Sequence, residues 1–258
     1  MEPFQRGVVH PSAVVSPSAR LGVGVTVGPF TVINAGVEIG DGSTVGSHCV
    51  IGESLRHFYE GDDRVEATII GAGSLVRSHS VIYQDVVTGP GVRTGNGVLL
   101  REGVRIGEDV QIGANCELHN DVSLGDHVRL QSNVGFAPGT LVEDFAWILA
   151  RVFTANDPHP PSDTCWNAPR VCRYAVVASQ AILMPGVVVG EHALVGAASL
   201  VNRDVPPETV VIGTPAKAVG SVRDLECREG NLDAVYPWPL HYRRGYPEGA
   251  LPDADQFR

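Results

Sequence analysis

His119 carries the side chain best suited to moving a proton near neutrality, because an unperturbed imidazole titrates there. Arg101 stands eighteen residues before it, Tyr83 eighteen before that, and Ala137 eighteen after it. The residues that follow these four are Gln84, Glu102, Asn120 and Pro138. If the chain repeats every eighteen residues, Arg101, Glu102, His119 and Asn120 come together as one outward polar patch. Such a group can accept a proton, donate hydrogen bonds to an anion or orient a polar ligand; an exposed charged ladder with no chemical role is the plain alternative. Metal chemistry finds little support. The nine histidines (10, 48, 57, 79, 119, 127, 159, 192 and 241) include no two that differ by 18 or 36. His159, Cys165 and Cys172 lack the compact Cys-x-x-Cys pair of a structural zinc site, and no metal is expected.

What must position these residues is a six-residue repeat. Every sixth residue from Val9 is aliphatic: Val15, Leu21, Val27, Ile33, Ile39, Val45, Ile51. The register is lost between Glu53 and Thr68, resumes at Ile70, runs on to Val142 and returns from Val177 to Val201. Four places further on, each hexad has a small or β-branched residue, such as Thr31, Ser43 or Cys49. A period of six fits neither an amphipathic helix nor a simple alternating strand. It suits a short strand followed by a sharp corner, three hexads closing one triangular coil with residue n beneath residue n+18. The aliphatic residues then fill a prism, and Cys49 and Cys116 are buried core thiols.

Composition agrees. Aromatic residues are 6% of the 258, while 30 Gly and 18 Pro are too many for a helical bundle. A formal charge of −10 argues against nucleic acid or an anionic membrane as principal partner. The amino-terminal stretch does not read as a secretory signal, no apolar run reads as a transmembrane helix, and the five cysteines are scattered, so a cytoplasmic protein is expected.

At this point the chain resembles the hexapeptide-repeat acyltransferases, over roughly Val8 to Ala218. The resemblance implies an all-β, left-handed parallel β-helix, here of about nine coils, spanning residues 1–218. Two protruding loops, about 52–69 and 149–176, and an irregular or helical extension over 219–258 complete the expected organisation. The tail's Trp238, His241, Tyr242 and Arg243 are expected to strap a neighbouring subunit.

The segment RTGNGVLLREGVRIGEDVQIGANCELHNDVSLGDHVRLQSNV is similar to the central coils of nucleotide-sugar N-acetyltransferases of this superfamily. There a Thr-Gly is often followed by histidine; here it is followed by Asn96. The TANDPHPP segment resembles a protruding loop of sugar acetyltransferases, which implies that Asn156, Asp157 and His159 lie near an active site between subunits. LMPGVVVGEHALVGAASLVNRDVPPETVVIGTPAKAVG resembles terminal coils that bind acetyl-CoA. By that likeness Gly196, Ala197, Ala198 and Ser199 line the pantetheine channel, and Gly213, Thr214, Pro215 and Lys217 lie near the nucleotide. Arg203 and Lys217 could meet its phosphates.

The expected activity is acyl transfer from acetyl-CoA, or another acyl-CoA, to an amino sugar, nucleotide-linked, in a homotrimer. His119 is the first choice of base and Asp157 the second; Asn96, Arg101, Glu102, Asn120, Asn156 and His159 are expected to contact the acceptor. Sugar O-acetylation, a noncatalytic trimeric scaffold and, more remotely, a metal hydratase on the same fold are the alternatives.

Overall fold

The computed structural model describes residues 5–162, 164–228 and 230. The chain winds through short strands, most of two residues, into three sheets of ten, nine and eleven strands, parallel except for the last pair of the third. Face 1 begins with Val14–Val15, face 2 with Arg20–Leu21 and face 3 with Thr26–Val27, and each turn of the chain adds one strand to each face. Register follows the repeat: Leu100 lies over Leu118 on face 1, Ile106 over Leu124 on face 2, and Ile112 over Leu130 on face 3.

The inside is aliphatic, as the hexad row requires. Ile33, Ile51, Leu100, Leu118, Ile148 and Leu183 are all buried, with Phe136 the one large aromatic among them. Cys49 and Cys116 sit in this core as free thiols. Each corner needs one residue in the left-handed region, which glycine tolerates best and, among residues with a side chain, Asn and Asp. Asn115 (φ 55°) and Asp121 (φ 60°) are examples.

The strand ladder runs further than the roughly nine coils expected. The second interruption is shorter than 149–176, since Phe153–Thr154 and Arg170–Val171 are strands and leave a loop of residues 155–169. Thr154 takes an inward place that sequence alone reads as loop. Its hydroxyl accepts from the Ala137 N–H (2.8 Å) and bonds the Thr140 hydroxyl (2.9 Å), which is how a polar group is tolerated there. The first interruption likewise narrows to residues 54–67, between Val50–Glu53 and Thr68–Ile70, with one helical turn at Arg56–Tyr59.

The end of the solenoid is a hairpin. Thr209–Gly213 joins face 3 in parallel, and Ala216–Ser221 returns antiparallel to it, so strand continues past residue 218 where a short helix was expected. A single 3₁₀ turn follows at Val222–Asp224. The segment bearing Trp238, His241, Tyr242 and Arg243 lies outside the described residues.

Replacing Ile112 (3% exposed) or Leu118 (0%) by Asp puts an unpaired carboxylate inside the prism. The expected cost is several kcal/mol, a large share of a typical domain's stability of about 5–15 kcal/mol. Thermal melting should show loss of the cooperative transition in both variants; melting near the parent temperature would contradict the inward register.

Candidate active site

Both loops leave the prism at the same corner, where the chain passes from face 1 to face 2. Five strand steps separate Val50 from Phe153 on face 1, so the loop bases lie about 24 Å apart along the axis at roughly 4.8 Å per strand. Between them, on the same corner, come Tyr83, Arg101, Glu102, His119 and Asn120 in order. The eighteen-residue ladder therefore assembles the polar patch, and the two loops bracket it.

The patch is internally ordered. The Arg101 guanidinium donates to both Glu102 carboxylate oxygens, at 2.8 and 3.0 Å, and its centre lies 4.8 Å from the centroid of the Tyr83 ring. The hydrogen bond to Glu102 holds the arginine pKa above its ordinary value. His119 stands one coil on with its side chain 41% exposed, and its Nε2 is 4.0 Å from a Glu117 carboxylate oxygen. Glu117 is a partner that the eighteen-residue row does not show, because it belongs to the outward position two residues earlier. Asn120 donates to Asp121 (3.1 Å), and its carbonyl accepts from Gly139 (3.0 Å).

The second loop is fastened to this corner at its neck. Asn156 Nδ2 donates to the Pro138 carbonyl (3.3 Å), the Asn167 N–H to the Asn156 carbonyl (2.8 Å), and the Gly186 N–H to the Asn167 carbonyl (2.7 Å). Asp157 uses both carboxylate oxygens inside the loop, accepting from the His159 N–H (3.0 Å) and the Ser162 N–H (2.7 Å). Asn156 is thus two coils from Asn120, about 10 Å along the axis. The first loop is tied by the Glu66 N–H to buried Gln84 (3.1 Å) and by the Tyr59 hydroxyl to Glu53 (3.2 Å).

The remaining expected residues fall elsewhere. Asn96 lies on the corner from face 3 to face 1, a full side of the prism from Arg101 and at most about 20 Å away for six residues. Gly196, Ala197, Ala198 and Ser199 share that corner, five coils further on, and the hairpin turn packs against them. The buried Ser199 hydroxyl accepts from the Gly213 N–H (3.1 Å), and the Thr214 hydroxyl donates to the Ala198 carbonyl (3.3 Å). Gly196 is required by packing: a Cβ there would come within 2.4 Å of the Ile212 side chain. Ala197 and Ala198 remain exposed and small, which fits a thin ligand lying against backbone, and Lys217 is exposed on the adjoining strand. Arg203 is not with them. It follows Leu200–Val201 of face 1 and so stands on the loop-bearing corner.

Two other features hold less chemistry. A cavity of about 420 Å³ on face 2 is floored by Val87, Ser123 and Leu141, and its arginines are paired, Arg105 with Asp85 (2.5 Å) and Arg173 with Asp144 (3.1 Å). His48 and His79 stack with ring centroids 5.2 Å apart although 31 residues separate them, because the first loop adds thirteen to the coil. Among the described residues no group of three or more His, Cys, Asp or Glu could hold a metal ion.

A family model described as bacterial transferase hexapeptide (six repeats) matches residues 18–53 and 103–138. Over 65 residues the chain is 40% identical to a chloramphenicol acetyltransferase of Escherichia coli, covering 25% of this chain and 31% of that protein. Over 50 residues it is 33% identical to galactoside O-acetyltransferase of Escherichia coli strain K12, covering 19% and 25%. The matches thus span less than a third of these relatives' length. Among solved structures, Arabidopsis UDP-N-acetylglucosamine acyltransferase aligns with a TM-score of 0.67 at 19% identity, over 83% of this chain and 74% of that one. The shared fold is the left-handed parallel β-helix. The chain carries the six-residue repeats of the hexapeptide family model over residues 18–53 and 103–138.

Thiol labelling tests the site's surroundings. Burial pushes the Cys116 thiol up to about 11, whereas Cys165 is exposed in the second loop. Raising a thiol pKa depletes the reactive thiolate, to about one part in a thousand for Cys116 at pH 8. Iodoacetamide should modify Cys165 in the native protein and leave Cys116 intact until unfolding. Equal labelling of the two, read by peptide mass spectrometry, would contradict the assigned burial.

Proposed function

We propose that the protein transfers an acyl group from acetyl-CoA, or a related acyl-CoA, to the amine of an amino sugar carried on a nucleotide. The observation that carries this reading is the joint presence of two half-sites on the two edges of face 1: a polar, loop-bracketed patch around His119, and a small-residue shelf at Ala197–Ala198 closed by the Gly213–Pro215 turn. The patch is long enough, at about 24 Å between loop bases, for an extended acceptor such as a sugar nucleotide.

In the proposed reaction the neutral amine attacks the thioester carbonyl carbon, forming the C–N bond while the carbonyl π pair moves to oxygen. A corner backbone N–H stabilises that oxyanion. His119 takes the proton the nitrogen loses, the carbonyl re-forms, and the C–S bond breaks to release CoA thiolate, which the imidazolium can protonate. The acyl group passes directly from thioester to acceptor in a ternary complex, without a covalent acyl-enzyme. Asp157, with both oxygens already accepting backbone N–H bonds, is better suited to shaping its loop than to moving this proton.

The two half-sites are four strand steps apart along the axis, about 19 Å, and on opposite edges of face 1. One protomer alone would hold the two edges a face apart, so the reading includes parallel prisms associating as a homotrimer that brings neighbouring edges together. The axial offset remains for the extended CoA arm to span. Lys217 is then the cation for the CoA phosphates, and Arg203, on the other corner, serves the acceptor side. A cytoplasmic setting, where both cosubstrates are made, is part of the proposal.

A second reading, O-acetylation of a sugar hydroxyl, draws on Glu117. Its carboxylate oxygen stands 4.0 Å from His119 Nε2, close enough to orient the imidazole toward a hydroxyl nucleophile. Products separate the two readings: an O-acetyl ester is cleaved by mild base and an amide is not.

Screening sugar nucleotides, with and without an amino group, against acetyl-CoA by mass spectrometry should find one acceptor that gains an acetyl group. With that acceptor, His119→Ala should lower turnover by about 10²–10⁴-fold while acetyl-CoA still raises the melting temperature. Turnover within twofold of the parent would remove His119 as base. No thermal shift with acetyl-CoA would remove the acyltransferase reading.

A further inference from the structure

Trp166 sits at the end of the second loop with 64% of its surface exposed. Burying an indole is among the largest single apolar gains available to a chain, so a solvent-facing tryptophan forgoes a stabilisation that a polar residue would not miss. Its polar edge is already satisfied: Nε1–H donates to the Ser162 carbonyl at 2.8 Å. What remains outward is apolar ring.

The ring is also held. Asn167, the next residue, closes the loop neck through Asn156 and reaches the coil of Gly186. Ser162, its hydrogen-bond acceptor, is fixed in turn by the Asp157 carboxylate (2.7 Å) and accepts through its own hydroxyl from the Cys165 N–H (3.1 Å). A pre-positioned aromatic with few free torsions is the economical way to build contact area for a ligand. Its loop springs from the corner that carries His119, two coils away, about 10 Å along the axis.

We propose that Trp166 is the stacking platform for the acceptor, determining specificity by receiving the flat face of a ring, either the sugar or the nucleobase. The proposal rests on the acyl-transfer reading for the identity of the ligand. It also gives Asp157 a role as a positioning residue that presents the indole by stapling the loop.

The test is calorimetric binding of UDP-glucose, dTDP-glucose and methyl β-glucoside to the parent, Trp166→Phe and Trp166→Ala proteins, with the acetyl-CoA thermal shift and sedimentation measured alongside. Trp166→Ala should weaken binding by roughly 10- to 100-fold, the usual scale for a lost aromatic stack, and Trp166→Phe by less than about fivefold. An effect on the methyl glycoside assigns the stack to the sugar; an effect on the two nucleotides alone assigns it to the base. Binding of no probe by the parent, equal binding by the Ala variant, equal losses in Phe and Ala, or a changed sedimentation coefficient in Trp166→Ala would overturn the proposal. The acetyl-CoA shift is expected in all three proteins. Its absence with stacking intact would sink the acyltransferase reading and leave the platform standing.

Discussion

The backbone hydrogen bond from one coil to the next is the constraint on which the rest of the structure depends. Leu99 N–H reaches the Cys116 carbonyl, Arg101 the Leu118 carbonyl and His119 the Phe136 carbonyl, all between 2.9 and 3.1 Å. A ladder of this kind fixes the side chain at n above that at n+18, so a one-residue slip would turn the inward row outward. Insertions survive only where they leave the ladder paired. The first loop adds thirteen residues and Val50 still pairs with Val81; the second adds eleven and Phe153 still pairs with Ile182. Both insertions use the corner between faces 1 and 2, which is why the variable chemistry of the chain collects there.

Stacking also explains the division between rigid and adjustable parts. Faces supply a core of Val, Ile and Leu whose packing tolerates little change in volume. Corners supply outward residues whose identity the ladder hardly restricts, so Arg101, Glu102, His119 and Asn120 can occupy one corner without disturbing the core beneath. The same logic sets a limit. Chemistry placed on two corners of one prism stays separated by a face, and a second prism is the direct means of bringing the Ala197–Ala198 edge to the His119 edge.

The core and the patch were legible in the sequence because they repeat. Aliphatic residues at every sixth place mark the inside, and an eighteen-residue spacing identifies Tyr83, Arg101 and His119 as neighbours before any coordinates. Features carried by exceptions were not legible. Thr154 is inward but polar, so the aliphatic row ends before Phe153–Thr154 although the strand ladder does not. His48 and His79 stack across a loop that breaks the count. Likeness to family motifs, rather than spacing, groups Asn96 with the patch and Arg203 with the shelf, and the strand order puts each on the opposite corner. The internal bonding of Asp157 and the exposure of Trp166 arise within a loop that has no repeat to read.

Mixing experiments reach the central claim, a site completed by two protomers, most directly. His119→Ala removes the patch function, and Ala197→Trp fills the shelf on the other edge; both should melt as the parent does. Co-assembled in equal amounts, the two inactive chains should regain about a quarter of the parental acceptor-dependent CoA release, because random pairing leaves that fraction of shared sites with both edges intact. A mixture that stays as inactive as its components would contradict the shared site.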